Sequence, residues 1–203
     1  IGGYGRVQLC PGSDLDLLLL HARGLDAGPL AEALWYPIWD AGVKLGHSVR
    51  TSRQALSLAA DDLDTATALL DGRVLAGDAA LGEGLARDAR AQWEKRGKRW
   101  LARLADSVDE RHARADEVAF LLEPDLKLGR GGLRDVHAVR WAQAARQVLL
   151  DDDHATLDAA EADLLAVRAE LHRATGRSGD VLTLDQQDAV AAALAVDDGA
   201  DGL

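Results

Sequence analysis

The chain has 203 residues, 48% of them hydrophobic and 28% charged, a globular composition that excludes wholesale disorder and collagen-like repeats. Its 34 acidic residues against 23 Lys and Arg give a net charge of −11, which argues against a general binder of nucleic acid or anionic membranes, and no apolar run is long enough to span a bilayer. The single cysteine, Cys10, allows no internal disulfide and fits a reducing, cytoplasmic setting, while an opening on Ile1-Gly2-Gly3 in a chain without methionine reads as a fragment.

In chain order, the first predicted element is a strand over Leu15 to Leu20, bracketed by Pro11-Gly12-Ser13 and Gly24. A short run apolar on both faces fits a central, buried strand. Pro29 to Ala41 reads as a helix, with Leu30, Leu34 and Ile38 at i, i+4 and i+8 and Pro37 as an irregularity. Val43 to Thr51 is compatible with a second strand. From there the pattern is helical: Leu56 to Leu75, with Asp61 or Asp62 as its cap, then a long charged stretch from about Leu81 to Leu122 carrying Trp93, Trp100 and Leu104. Glu123-Pro124 breaks it, and Asp125 to Gly132 is a glycine-rich connector. Leu133 to Leu150 predicts an amphipathic helix ended by Asp151-Asp152-Asp153. Another helix runs from about Ala155 to Thr175, and a last one starts near Asp185. The predicted organisation is a small α/β core over residues 1–55, then an all-α domain over 56–203 with its connector at 123–135.

Charge is zoned along this order. Residues 1–55 are neutral, 86–146 carry +4 and 147–203 carry −10. A basic middle can be a phosphate-handling surface or the solvated face of a long helix.

The most informative chemistry is Gly2-Gly3 followed by Asp14-Leu15-Asp16. Side chains two apart on a strand share a face, so Asp14 and Asp16 are expected to project together. Two carboxylates that close repel unless a divalent cation lies beside them. The paired glycines permit close approach of backbone N–H groups to a phosphate, Ser13 adds a hydroxyl donor, and Arg6 lies on the glycine side to neutralise charge. Together these are parts for holding a magnesium–nucleoside triphosphate.

These residues carry a resemblance. Gly2-Gly3 through Asp14-x-Asp16 resembles the signature of the nucleotidyltransferase (polymerase-beta-like) superfamily. More narrowly, Gly2-Gly3-Tyr4-Gly5-Arg6, Pro11-Gly12-Ser13-Asp14-Leu15-Asp16-Leu17, Gly46-His47-Ser48-Val49-Arg50-Thr51 and Leu122-Glu123-Pro124-Asp125-Leu126-Lys127 through Gly131-Gly132-Leu133-Arg134-Asp135 are similar to the PII uridylyltransferase/uridylyl-removing family. The resemblance extends into His172-Arg173-Ala174-Thr175-Gly176-Arg177. It implies an α/β nucleotidyltransferase core remnant followed by an all-α domain, and Mg2+-dependent transfer of UMP from UTP to a tyrosine of the PII signalling protein. Asp14 and Asp16 would ligate Mg2+, and Gly2, Gly3 and Ser13 would cradle the β- and γ-phosphates. The metal-hydrolase and glutamine-sensing domains of the family would lie beyond residue 203.

Several readings stay open on the residues alone. The base is not specified, so ATP acting on PII or on glutamine synthetase is an alternative to UTP, as is a non-catalytic PII-docking module. The third carboxylate that the superfamily usually carries finds no acid on Val43 to Thr51; either His47, Glu123 or Asp125 substitutes or catalysis relies on two carboxylates, and His47 reads more readily as a hydrogen-bonded structural histidine. Lys127, Arg130 and Arg134, set among Gly129, Gly131 and Gly132, read equally as a phosphate site and as a linker. His137 and Trp141 are expected to pack, and Asp61, Asp62 and Asp64 to cap a helix.

Overall fold

The computed structural model describes residues 1–114, 122–146 and 149–196. Among these the chain is mostly helical with one small parallel sheet. The order is α1 (Gly2–Gly5), β1 (Leu15–Leu20), α2 (Gly28–Asp40), β2 (Leu45–Arg50), α3 (Ser52–Ala59), α4 (Leu63–Leu70), α5 (Ala79–Lys95), α6 (Gly97–His112), α7 (Leu133–Ala145), α8 (Asp151–Thr175) and α9 (Leu184–Ala193). Two compact units result: Ile1–Leu9 with Ser13–Trp100, and Cys10–Gly12 with Leu101–Leu203. The compact division falls inside α6, downstream of residue 55, where strand patterns give way to helical ones in the sequence. The reason is packing: α3 lies against β2, α4 against α1, and α5 against both α3 and α4.

In the first unit, β1 and β2 run parallel with Leu15 opposite Leu45 and Leu20 opposite Arg50. β1 is half-buried at all six positions rather than fully buried. β2 covers one edge, and at the other the Ile1 amino group donates to the Asp16 carbonyl at 2.9 Å. α2 starts with Pro29 in its first turn, where a missing N–H costs nothing, and buries Ala31 and Trp35.

Where one helix was expected over Leu56 to Leu75 there are two, because side chains compete for the backbone. Thr51 and Gln54 form a reciprocal capping box that starts α3 at Ser52. Asp62 accepts from the Thr65 N–H at 2.7 Å and starts α4 anew. The long charged stretch is likewise broken, at Arg96, with Gly97 beginning α6; residues 115–121 of it lie outside the described residues. Trp93 and Trp100 stack across that break with ring centroids 5.2 Å apart and planes 12° from parallel. Both are fully buried and form the largest apolar anchor of the unit.

In the second unit the connector pairs with the chain after α8. The Leu126 N–H donates to the Asp180 carbonyl at 2.8 Å, and the Leu182 N–H to the Pro124 carbonyl at 2.9 Å. Leu126, Leu182, Leu171 of α8 and Val190 of α9 close the core there. Asp151-Asp152-Asp153 do not merely end a helix; they form the first turn of α8, where carboxylates favour the positive end of the helix dipole. α8 ends at Gly176 in the left-handed conformation, φ 62°.

Candidate active site

In a parallel pair, residues in register point to the same face. Asp16 opposite Gly46 and Leu17 opposite His47 therefore sort the sheet into two faces. One carries Asp16, Leu18, Leu20, Gly46, Ser48 and Arg50; the other carries Leu15, Leu17, Leu19, Leu45, His47 and Val49. α2 covers the second face. The His47 ring lies with its centroid 5.5 Å from Trp35 and 5.2 Å from Trp39. His47 therefore faces α2 while Asp16 faces away, so the two do not share a face of the sheet. The other two substitutes are engaged by their neighbours. Glu123 Oε1 accepts from the Leu184 N–H at 3.1 Å, and Asp125 Oδ1 from the N–H groups of Lys127 and Leu128 at 2.9 and 2.8 Å.

The Asp16 carboxylate sits in a slot that only glycines leave open. A Cβ on Gly46 would stand 2.3 Å from Oδ1, and one on Gly2 would stand 3.0 Å from Oδ2. Gly2 also has φ +58°, a conformation that side chains disfavour. α1 and β2 thus flank one carboxylate, while Asp14, just ahead of β1, is exposed. The Arg6 N–H donates to the Gly2 carbonyl and the Gln8 N–H to the Gly3 carbonyl, which fixes the glycine turn. Ser13 is half-buried between Gly12 and Asp14.

Arg6 is directed elsewhere than a phosphate on the glycine side would need. Its guanidinium pairs with Asp71 at the end of α4 and donates from Nε to Gln8 Oε1 at 2.7 Å. The sequence offers no local signal for this partner, 65 residues away.

The connector's glycines have structural reasons of their own. Gly131 has φ +83°, and a Cβ on Gly132 would stand 2.9 Å from the Leu126 carbonyl oxygen. Gly131 donates its N–H to Asp135 Oδ2 at 2.7 Å, and Asp135 also receives Arg111 at 2.5 Å and His112 at 2.9 Å. Burial pushes the Asp135 carboxyl up, but these hydrogen bonds and the Arg111 charge outweigh it and hold the group below its ordinary value. The Lys127 ammonium lies 3.6 Å from Asp180 Oδ2, and Arg130 is exposed. His137 is buried beside Trp141 and lies 3.5 Å from Glu161, in accord with a packing role. Asp62 caps and Asp61 pairs with Arg99, so neither belongs to a metal cluster.

Among the described residues no group of three or more His, Cys, Asp or Glu side chains gathers as a metal site. The donor set that Asp14 and Asp16 offer is nonetheless of the right kind for Mg2+, a hard cation that takes one or two carboxylates and fills its remaining positions with water and substrate phosphate. No helix among the described residues is long and apolar enough to cross a membrane.

Comparison with known proteins places this chain in a family. Residues 98–202, just over half of the chain, match the model of the GlnD PII-uridylyltransferase family. A bifunctional uridylyltransferase/uridylyl-removing enzyme of Streptomyces coelicolor is 49% identical over 196 residues, covering 96% of this chain and 23% of that protein. Relatives of the same name from Mycobacterium tuberculosis and Thiobacillus denitrificans are 43% and 41% identical over 208 residues, covering 98% and 96% of the chain and 26% and 24% of those proteins. The chain thus spans about a quarter of the length of these relatives. No solved structure matches it significantly. Aligned over nearly its whole length with enzymes of that name, and matched over its second half by the family model, the chain belongs to the GlnD PII-uridylyltransferase family.

Proposed function

We propose that this chain is the nucleotidyl-transferring portion of a longer cytoplasmic enzyme that moves UMP from UTP to a tyrosine of the PII signalling protein, using Mg2+ and a polymerase-beta-like core. The observation that carries the reading is the Asp16 carboxylate in its two-glycine slot, with Asp14 exposed two residues earlier. A half-buried carboxylate kept clear of any Cβ on both sides is spared for an incoming ligand.

Asp14 and Asp16 would hold the ion, which when bound neutralises phosphate charge and polarises the α-phosphate. The turn at Gly2-Gly3 and the Ser13 hydroxyl would orient the β- and γ-phosphates. In the transfer, the tyrosine oxygen forms a bond to the α-phosphorus while the bond from that phosphorus to the α–β bridging oxygen breaks. Pyrophosphate leaves with the electron pair, and the hydroxyl proton passes to a carboxylate or to water.

The test uses the full-length protein with PII, Mg2+ and UTP or ATP labelled at the α-phosphate. Label from UTP on PII, lost in Asp14→Ala and Asp16→Ala variants that remain folded, supports the reading. Label from ATP alone replaces UMP by AMP; no label from either nucleotide overturns transfer and leaves a docking module.

A further inference from the structure

The loop that leads into the acid pair belongs to the helical unit. Cys10–Gly12 pack with the second unit, although Ser13 and the strand after it belong to the first. Two contacts inside the second unit hold that loop. The Gly12 N–H donates to Nδ1 of His172 at 3.2 Å. A Cβ on Gly12 would stand 2.7 Å from the Ser178 Cα and 2.9 Å from the Arg177 carbonyl oxygen, so the loop lies directly on the turn that follows α8.

His172 is fully buried and has both ring nitrogens engaged. Nε2 faces Asp180 Oδ1 at 3.0 Å, which makes it the donor and leaves Nδ1 as the acceptor that Gly12 needs. Asp180 in turn receives the Arg168 Nε at 2.7 Å and faces the Lys127 ammonium. Ring orientation is therefore set by a carboxylate that a buried guanidinium holds in place, an arrangement that fixes a tautomer.

We propose that His172 is a positioning residue for the transfer reaction: through Nδ1 it holds the Gly12 amide, and with it the loop that delivers Ser13, Asp14 and Asp16. The role rests on the transferase reading above. His172 touches no reacting atom; it acts through the backbone of Gly12, and Asp180 and Arg168 act through His172.

Two substitutions separate the ring nitrogens. His172→Asn keeps an acceptor near the Nδ1 position and abandons Asp180; His172→Gln keeps a partner for Asp180 and abandons Gly12. In the full-length protein, His172→Gln is expected to lower kcat for UMP transfer by about tenfold with KM for UTP little altered, the mark of an interaction felt in the transition state. His172→Asn is expected to recover most of that loss. Hydrogen exchange at the Gly12 amide gives a readout independent of activity, and should accelerate in His172→Gln and in Gly12→Ala but not in His172→Asn. Equal kcat losses in Asn and Gln that follow their thermal midpoints would reduce His172 to a packing residue and overturn the proposal. So would unchanged Gly12 exchange in His172→Gln. Failure of the unaltered protein to transfer any nucleotide defeats the transferase reading itself and the positioning role with it, even where the exchange pattern shows the anchor.

Discussion

Gly46→Ala is the sharpest perturbation of the candidate site, because it adds one carbon at a known distance from one carboxylate oxygen. The added Cβ would stand 2.3 Å from Asp16 Oδ1, and an ordinary contact begins near 3.4 Å, so the oxygen must retreat by about 1.1 Å. The obstacle is a side-chain terminus, not backbone, and Asp16 can yield by swinging off its rotamer at about 0.5–1.5 kcal/mol. Folding should survive. Transfer should not, since a displacement of about 1 Å at a reacting centre costs on the order of 100-fold. The assay is UMP transfer to PII by the full-length protein, run beside thermal unfolding. In an Asp16→Ala background the same Gly46→Ala change has nothing to displace and should add little further loss, so the two substitutions are expected to be strongly non-additive. Full activity in Gly46→Ala would refute the reasoning, as would simple addition of the two effects.

Acid should weaken the second unit through two carboxyls. Burial pushes the Asp180 carboxyl up, but the Arg168 hydrogen bond and charge, the Lys127 charge and the His172 hydrogen bond hold it below its ordinary value, and Asp135 behaves likewise. A carboxyl depressed by folding contributes stability that is present above its unfolded value, about 3.9, and lost as pH falls through the folded value. Thermal midpoints should therefore hold from neutral pH to about 5 and fall below about 4; an acid limb unaltered by Asp180→Asn would contradict the assignment. In the first unit, Gly5→Ala would place a Cβ 1.9 Å from the Asp71 carbonyl oxygen, which is backbone and cannot swing aside. Its cost is expected at about 2 kcal/mol or more, read from denaturant unfolding, and a neutral result would remove α1 from its seat against α4.

The sequence made β1 and α2 legible, and singled out the acid pair, because their signals are local. An apolar run of strand length lies between turn residues, a 3.6-residue stripe follows a proline, and two carboxylates sit two positions apart. The breaks after Ala59 and at Arg96 were less legible, since hydrophobic spacing runs through both and only the Asp62 cap and Gly97 interrupt it. Least legible were the partners chosen by tertiary packing: Asp71 for Arg6, Asp180 for Lys127, Arg168 and His172, and the second unit for Cys10–Gly12. No periodicity encodes such pairs. His47 shows how a strand's parity decides which residues share a site's face. Strand side chains alternate, so a single position decides the face, and the register of β1 against β2 puts Gly46, Ser48 and Arg50, not His47, on the face that carries Asp16. Strand propensity alone cannot supply that parity. The two glycines can: Gly46 lies directly opposite Asp16, and a position where any side chain would strike a carboxylate is one that pairing has already chosen.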